Sequence, residues 1–87
     1  MTIYYHPRFQ RNYRQLDPQI KKQAEAQVAL FRTDSFAIQL DTYLLHGRLK
    51  KQWSFSVDNR YRILFDFLNK QKSEVVFLDI GTHDMYR

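Results

Sequence analysis

The chain is 87 residues long and carries no cysteine, two glycines and two prolines, so a single domain over residues 1–87 is expected, without disulfides or thiolate metal sites. Hydrophobic residues make up 44% of it and aromatic residues 16%, enough for a core at this length because each ring buries more area than an aliphatic side chain. Fourteen lysines and arginines against nine acidic residues leave a formal charge of +5, which favours a polyanionic partner, either nucleic acid or an acidic protein segment.

The opening MTIYYHPRFQ lacks the charged and apolar regions of a signal peptide. No segment approaches the length of a membrane span, so a cytoplasmic protein without a membrane partner is expected. TIYYH (2–6) reads as a short strand. Pro7 suits the first turn of a helix, and Phe9, Tyr13 and Leu16 fall on one helical face while Arg8, Arg11 and Arg14 line another. Asp17 and Pro18 start a second helix, the aspartate as a capping carboxylate. Ile20, Ala24, Val28 and Phe31 form its apolar stripe, to about Arg32. The two helices are expected to form an antiparallel hairpin.

Residues 33–50 have apolar anchors, such as Phe36, Ile38, Leu40 and Leu44, but no sustained period. They are read as a connection with a turn at Gly47. In QWSFSVD, Trp53, Phe55 and Val57 alternate with polar residues, the period of a half-buried strand. DNR turns the chain into YRILFDFL, where Tyr61, Ile63, Phe65 and Phe67 share a face. NKQKS is a second turn, and EVVFLDIG the last strand. Matching the apolar faces pairs Val57 with Tyr61, Phe55 with Ile63 and Trp53 with Phe65. Arg62 then lies opposite Ser56, turned away from Trp53 and Phe55. In the last strand Val76, Leu78 and Ile80 are expected toward the helices, with Val75, Phe77 and Asp79 on the second face. Continuing that alternation through Gly81 brings His83 to the side of Arg62. The fold class is α+β: a strand, a two-helix hairpin, then an antiparallel meander with the helices on one face.

Three groups of residues carry possible chemistry. Arg62 interrupts an apolar strand, and it either pairs with Asp66 or Asp79 or binds phosphate through paired hydrogen bonds. His46, Arg48, Lys50 and Lys51, with Arg60 in the turn beyond Val57, form a cationic set suited to the phosphates of a nucleic-acid strand. At the C-terminal end, His83 has the side chain that titrates near neutrality. Beside Arg62 it would take a proton from a ribose 2′-hydroxyl or give one to a leaving 5′-oxygen, with Arg62 stabilising charge at phosphorus. Tyr86 would hold the base or share the proton transfer. The scheme calls for no metal and no cofactor, and the three histidines are too dispersed for a local metal motif.

With FQRNYRQLDPQIKKQAEAQVALF, LLHGRLKKQWSFSVDNRYRILFDF and VVFLDIGTHDMYR, nearly the whole chain resembles the RelE/ParE superfamily of toxins, YafQ-like ribonucleases in particular. The specific parts are the Leu-rich basic turn, the W-S-x-S-V strand, the Y-R-I strand and the final G-T-H. The resemblance implies a bacterial or archaeal toxin of a type II toxin–antitoxin system. Such a toxin cuts messenger RNA, typically on the ribosome, by metal-independent 2′-hydroxyl attack, and a cognate antitoxin restrains it. Arg62 matches the strand arginine that contacts the scissile phosphate in these relatives, and His83 the histidine that transfers the proton. Tyr86 corresponds to the aromatic residue near the end, at a shorter spacing than the motif often has. Some relatives have a histidine at the position of Ser56 and an earlier one near the position of Tyr43; both are missing here, and His46 lies close enough in sequence to substitute for the second. The superfamily also contains gyrase-poisoning and inactive members, which leaves a ParE-like gyrase inhibitor and a catalytically inactive antitoxin-binding protein as alternatives.

Overall fold

The computed structural model describes residues 1–47 and 52–86, the Tyr86 side chain excepted. β1 (Thr2–Tyr5) leads into α1 (Pro7–Arg14) and α2 (Pro18–Thr33). A 3₁₀ turn (Ile38–Leu40) and a two-residue strand β2 (Tyr43–Leu44) follow, then β3 (Trp53–Ser56), β4 (Arg62–Phe67) and β5 (Glu74–Gly81), with a closing 3₁₀ turn at His83–Tyr86. The sheet has the order β1-β5-β4-β3-β2. The meander β2 to β5 is antiparallel and β1 joins its far edge parallel to β5. The helical hairpin between β1 and the meander is the long crossover that a parallel pair requires. The α+β architecture expected from the sequence is present, and the segment 33–47 is more structured than the simple connection expected, because it contains the turn and the edge strand β2.

Local chemistry sets the boundaries. His6 caps α1 through its Nδ1, which accepts the Arg8 amide hydrogen at 3.0 Å, and Pro7 occupies the first turn. Asp17 stands at the N-cap of α2, but its carboxylate makes no capping hydrogen bond; only its backbone oxygen does, to the Lys21 amide. Between β3 and β4 the Asp58 carboxylate accepts the Arg60 and Tyr61 amides at 2.8 and 2.7 Å, an aspartate-built turn. Asn69 does the same for Ser73 and Glu74 before β5. Gly47 has φ +76, the left-handed backbone that glycine adopts without steric cost.

The core lies between the helices and one face of the sheet. Phe31 of α2 is fully buried and stacks on Phe55 with ring centroids 4.6 Å apart, while Phe65 and Phe77 meet it edge-on at 5.0 and 5.6 Å. Phe9 of α1 joins the cluster through Phe77 at 5.5 Å. Ile63, Val75 and Ile80 fill the remaining space. Ile20, Tyr13, Leu16 and Val28 pack around them as the helical spacing predicts. The predicted pairs Phe55–Ile63 and Trp53–Phe65 are present, as is Arg62 opposite Ser56, and Val57 and Tyr61 are joined by a backbone hydrogen bond of 2.9 Å.

β5 is phased differently from the sequence expectation. Val75 and Phe77 are fully buried in the core, whereas Val76 and Leu78 are only half-buried. The pairing slips between Leu64 and Phe65, so that Leu64 faces Asp79 while Phe65 faces Phe77, with Leu78 as the extra residue. This β-bulge shifts the alternation by one and returns Ile80 to the core, 2% exposed. Asp79, expected on the second face, instead accepts a hydrogen bond from Asn12 of α1 at 2.7 Å.

Candidate functional site

On the face of β3 and β4 turned from the helices, Ser54 is fully buried and Arg62 is 6% exposed. A buried guanidinium is costly unless its donors are met, and here the chain itself meets them. Nε donates to Ser54 Oγ at 2.6 Å; Nη2 donates to the Asp41 backbone oxygen at 2.6 Å and to the Ser54 backbone oxygen at 3.2 Å. Nη1 donates to Asp41 Oδ2 at 3.3 Å. The Tyr43 ring covers the guanidinium, its centroid 4.5 Å from the guanidinium carbon, a cation–π contact. The partners anticipated for a structural arginine, Asp66 and Asp79, are not the ones these bonds use; they run to Asp41 and Ser54.

Three elements build this arrangement. Alternation along β3 puts Ser54 on the same side as Arg62. Pairing of Tyr43 with Ser54 brings β2 alongside. Asp41, just after the 3₁₀ turn, has φ 47 and ψ 51, the left-handed region, which aims its carbonyl and its carboxylate at one guanidinium. Ser54 could have been found in the sequence, being in phase with Arg62. Asp41 could not, because no period connects an isolated carboxylate in LDTYLL to a strand twenty-one residues on.

Arg62 pairs with Gly81 across β4 and β5, so the end of the last strand lies next to the arginine. His83 comes two residues later, exposed, as the first residue of the closing 3₁₀ turn. The register brings the backbone of Arg62 near the strand end that precedes His83, while the guanidinium leans the other way, over β3 toward Asp41. The strand alternation expected to orient His83 does not reach it, because the extended backbone ends at Gly81. Met85 returns over Gly81: a Cβ built there would meet the Met85 Cβ at 3.5 Å, and the Met85 amide donates to the Thr82 carbonyl at 3.0 Å. Tyr86 is the last residue of this turn, and its side chain lies outside the described part.

Of the expected cationic set, His46 is exposed just past β2, and Arg60 is exposed in the β3–β4 turn, its guanidinium carbon 5.5 Å from the centroid of the Tyr61 ring. Arg48, Lys50 and Lys51 lie outside the described residues. Trp53 packs against the core, with its ring 6.5 Å from that of Phe65, and is a structural residue as its alternation implied. Among the described residues no cluster of three or more histidine and acidic side chains is placed to hold a metal ion, and no helix is long and apolar enough to cross a membrane.

On the opposite side of the molecule, α1, α2 and β1 enclose a groove of about 570 Å³. Phe9, Tyr13, Ala24 and Val28 form much of its lining, with Arg14 and Arg32 also on it. The Tyr13 hydroxyl donates to Glu25 at 3.3 Å. Burial first, and then the Glu25 charge and hydrogen bond, raise its pKa above the usual 10.0.

No protein-family model and no curated protein matches the sequence. Solved structures do. A YoeB/ParE toxin from Agrobacterium tumefaciens superposes with a TM-score of 0.78 at 13% identity, over 95% of this chain and 99% of that one. The toxin–antitoxin complex DinJ–YafQ of Escherichia coli matches at 0.73 and 15%, over 95% and 92%. The archaeal RelE–RelB complex of Pyrococcus horikoshii matches at 0.73 and 11%, over 93% and 92%. At these identities the likeness is one of fold alone, the α+β fold that this chain shares with these toxin structures.

Proposed function

We propose that this chain, with the fold of RelE-, YafQ- and YoeB-type toxins, is the toxin of a toxin–antitoxin pair: an endoribonuclease that cuts messenger RNA and so halts translation. The observation that supports the reading is the backbone pairing of Arg62 with Gly81, which puts the strand that carries the arginine beside the strand end that precedes His83, while the guanidinium reaches over β3 toward Asp41. A ribose 2′-hydroxyl attacks the adjacent phosphorus. The new 2′-oxygen bond forms as the 5′-oxygen bond breaks, leaving a 2′,3′-cyclic phosphate and a free 5′-hydroxyl. His83 supplies the titratable group for the proton transfer, and Arg62 stabilises the charge that builds on the phosphoryl oxygens. Tyr86 assists by holding the base or sharing the proton.

His46, Arg48, Lys50, Lys51 and Arg60 hold the flanking phosphates in this scheme, the four lysines and arginines being part of the +5 charge that attracts RNA at long range. The reaction uses no cofactor, takes place in the cytoplasm and has the ribosome as its natural setting. A cognate antitoxin restrains the protein, with an acidic or amphipathic segment complementary to the basic surface.

Primer extension on transcripts after brief expression tests the proposal. New 5′ ends should appear with the wild-type chain and vanish with His83→Ala and with Arg62→Ala, with growth restored in both. Intact transcripts accompanied by altered DNA supercoiling would replace this reading with gyrase inhibition.

A further inference from the structure

Arg62 is held more fully by its own chain than a residue awaiting a phosphate needs to be. Its hydrogen bonds are of two kinds. Nε to Ser54 Oγ and Nη2 to the Asp41 carbonyl, 2.6 Å each, with Nη2 to the Ser54 carbonyl at 3.2 Å, fix the orientation of the guanidinium fork. The bond from Nη1 to the Asp41 carboxylate is longer, 3.3 Å, and the Asp41 side chain is 75% exposed. Nη1 is therefore the donor whose side-chain partner is open to solvent, and the group on it is an anionic oxygen. A phosphodiester presents the same kind of acceptor to an arginine.

We propose that Asp41 is a positioning residue for Arg62 and that its carboxylate keeps the place of a phosphodiester oxygen on Nη1 until single-stranded RNA displaces it. The identity of the displacing anion rests on the ribonuclease reading. The backbone geometry separates the two tasks. With φ 47 and ψ 51, Asp41 aims its carbonyl at Nη2 independently of where its side chain lies. The carboxylate swings into solvent while the carbonyl, Ser54 and the Tyr43 ring keep the fork in position. The Asp41 charge thus opposes RNA binding at the same arginine that its backbone orients.

The test uses a fluorescein-labelled 2′-O-methyl oligouridine, which lacks the attacking hydroxyl and survives the measurement. Asp41→Asn keeps a residue that tolerates the left-handed backbone and replaces the charge by a neutral acceptor. Asp41→Gly keeps the backbone and its carbonyl and removes the side chain. Both variants should bind about 3–10-fold more tightly than wild type, the scale of one charge-assisted contact. Their log–log salt dependence should steepen by up to about 0.7, because no freed Asp41 carboxylate takes up a cation as the phosphate releases one. The gain should disappear when Arg62→Met is added.

Equal or weaker binding by both Asp41 variants, with Arg62→Met weaker than wild type, overturns the role of Asp41 and leaves the ribonuclease reading standing. An undiminished gain in the Arg62→Met background also overturns it, because removal of any acidic residue would then suffice. Unchanged binding on Arg62→Met, together with intact transcripts from the wild type, overturns both. Thermal melting identifies an Arg62→Met protein that has failed to fold. The salt slope of the two single variants then decides, and an unchanged slope rejects the proposal.

Discussion

The two faces of the sheet are held by different physics. Toward the helices, aromatic rings and aliphatic side chains exclude water with little demand on direction, and Phe31 touches three strands at once. On the far face, around Arg62, burial depends on directed bonds to Ser54 and Asp41. A core of the first kind accepts an apolar side chain of similar volume at modest cost. A cluster of the second kind fails when one partner is removed, because the other is left unmet. One face therefore fixes the fold, while the other fixes the position of a single charge.

Substitutions should separate the two. The largest effect on stability is expected at Phe31→Ala, about 3–5 kcal/mol by urea denaturation, since the site is fully buried and its neighbours are ring-sized. A loss below about 0.5 kcal/mol, the range of ordinary surface changes, would show that the helices are held elsewhere. Ser54→Ala should cost less, about 1–2 kcal/mol, because it deletes the Nε acceptor but leaves the backbone oxygen in place. RNA cleavage should nevertheless fall much further with Ser54→Ala than with a helix-face change of equal stability cost. Parallel losses would merge the two faces into one structural unit.

The smallest effect concerns the groove. The pKa of Tyr13 is raised in the folded chain, so between its unfolded and folded pKa values the native state binds more protons than the unfolded one. Its contribution is fully present below about pH 10 and is lost as pH rises through the folded value. Tyr13→Phe should flatten part of the fall in melting temperature between pH 9 and pH 11. An identical fall in both proteins would exclude a role for Tyr13.

Much of the fold was legible because the apolar pattern has two clear periods. Helical spacing identified the α2 stripe, and alternation in QWSFSVD and YRILFDFL fixed the pairing that puts Arg62 opposite Ser56. β5 was less legible because EVVFLDI is apolar in both phases, so its pattern does not choose a face. The bulge at Leu78 is a product of tertiary packing and leaves no mark in the spacing. For the candidate site, the place of Arg62 opposite Ser56 could be read from sequence, whereas the alternation used to bring His83 to its side ends at Gly81. Of its partners, Ser54 is in phase with it and legible, whereas Asp41 is not, because it arrives through a 3₁₀ turn with no period of its own.

What the amino-acid sequence determined, then, was which side chains are apolar and at what spacing, and hence the elements, their order and most of their register. Only the tertiary structure decided the phase of β5, the parallel docking of β1, and the carboxylate that meets the buried arginine. The physical reason is the range of the forces involved. Periodic burial is encoded within a few neighbouring residues, whereas a bulge or an ion pair depends on which distant segment packing brings within about 3 Å, the reach of a hydrogen bond.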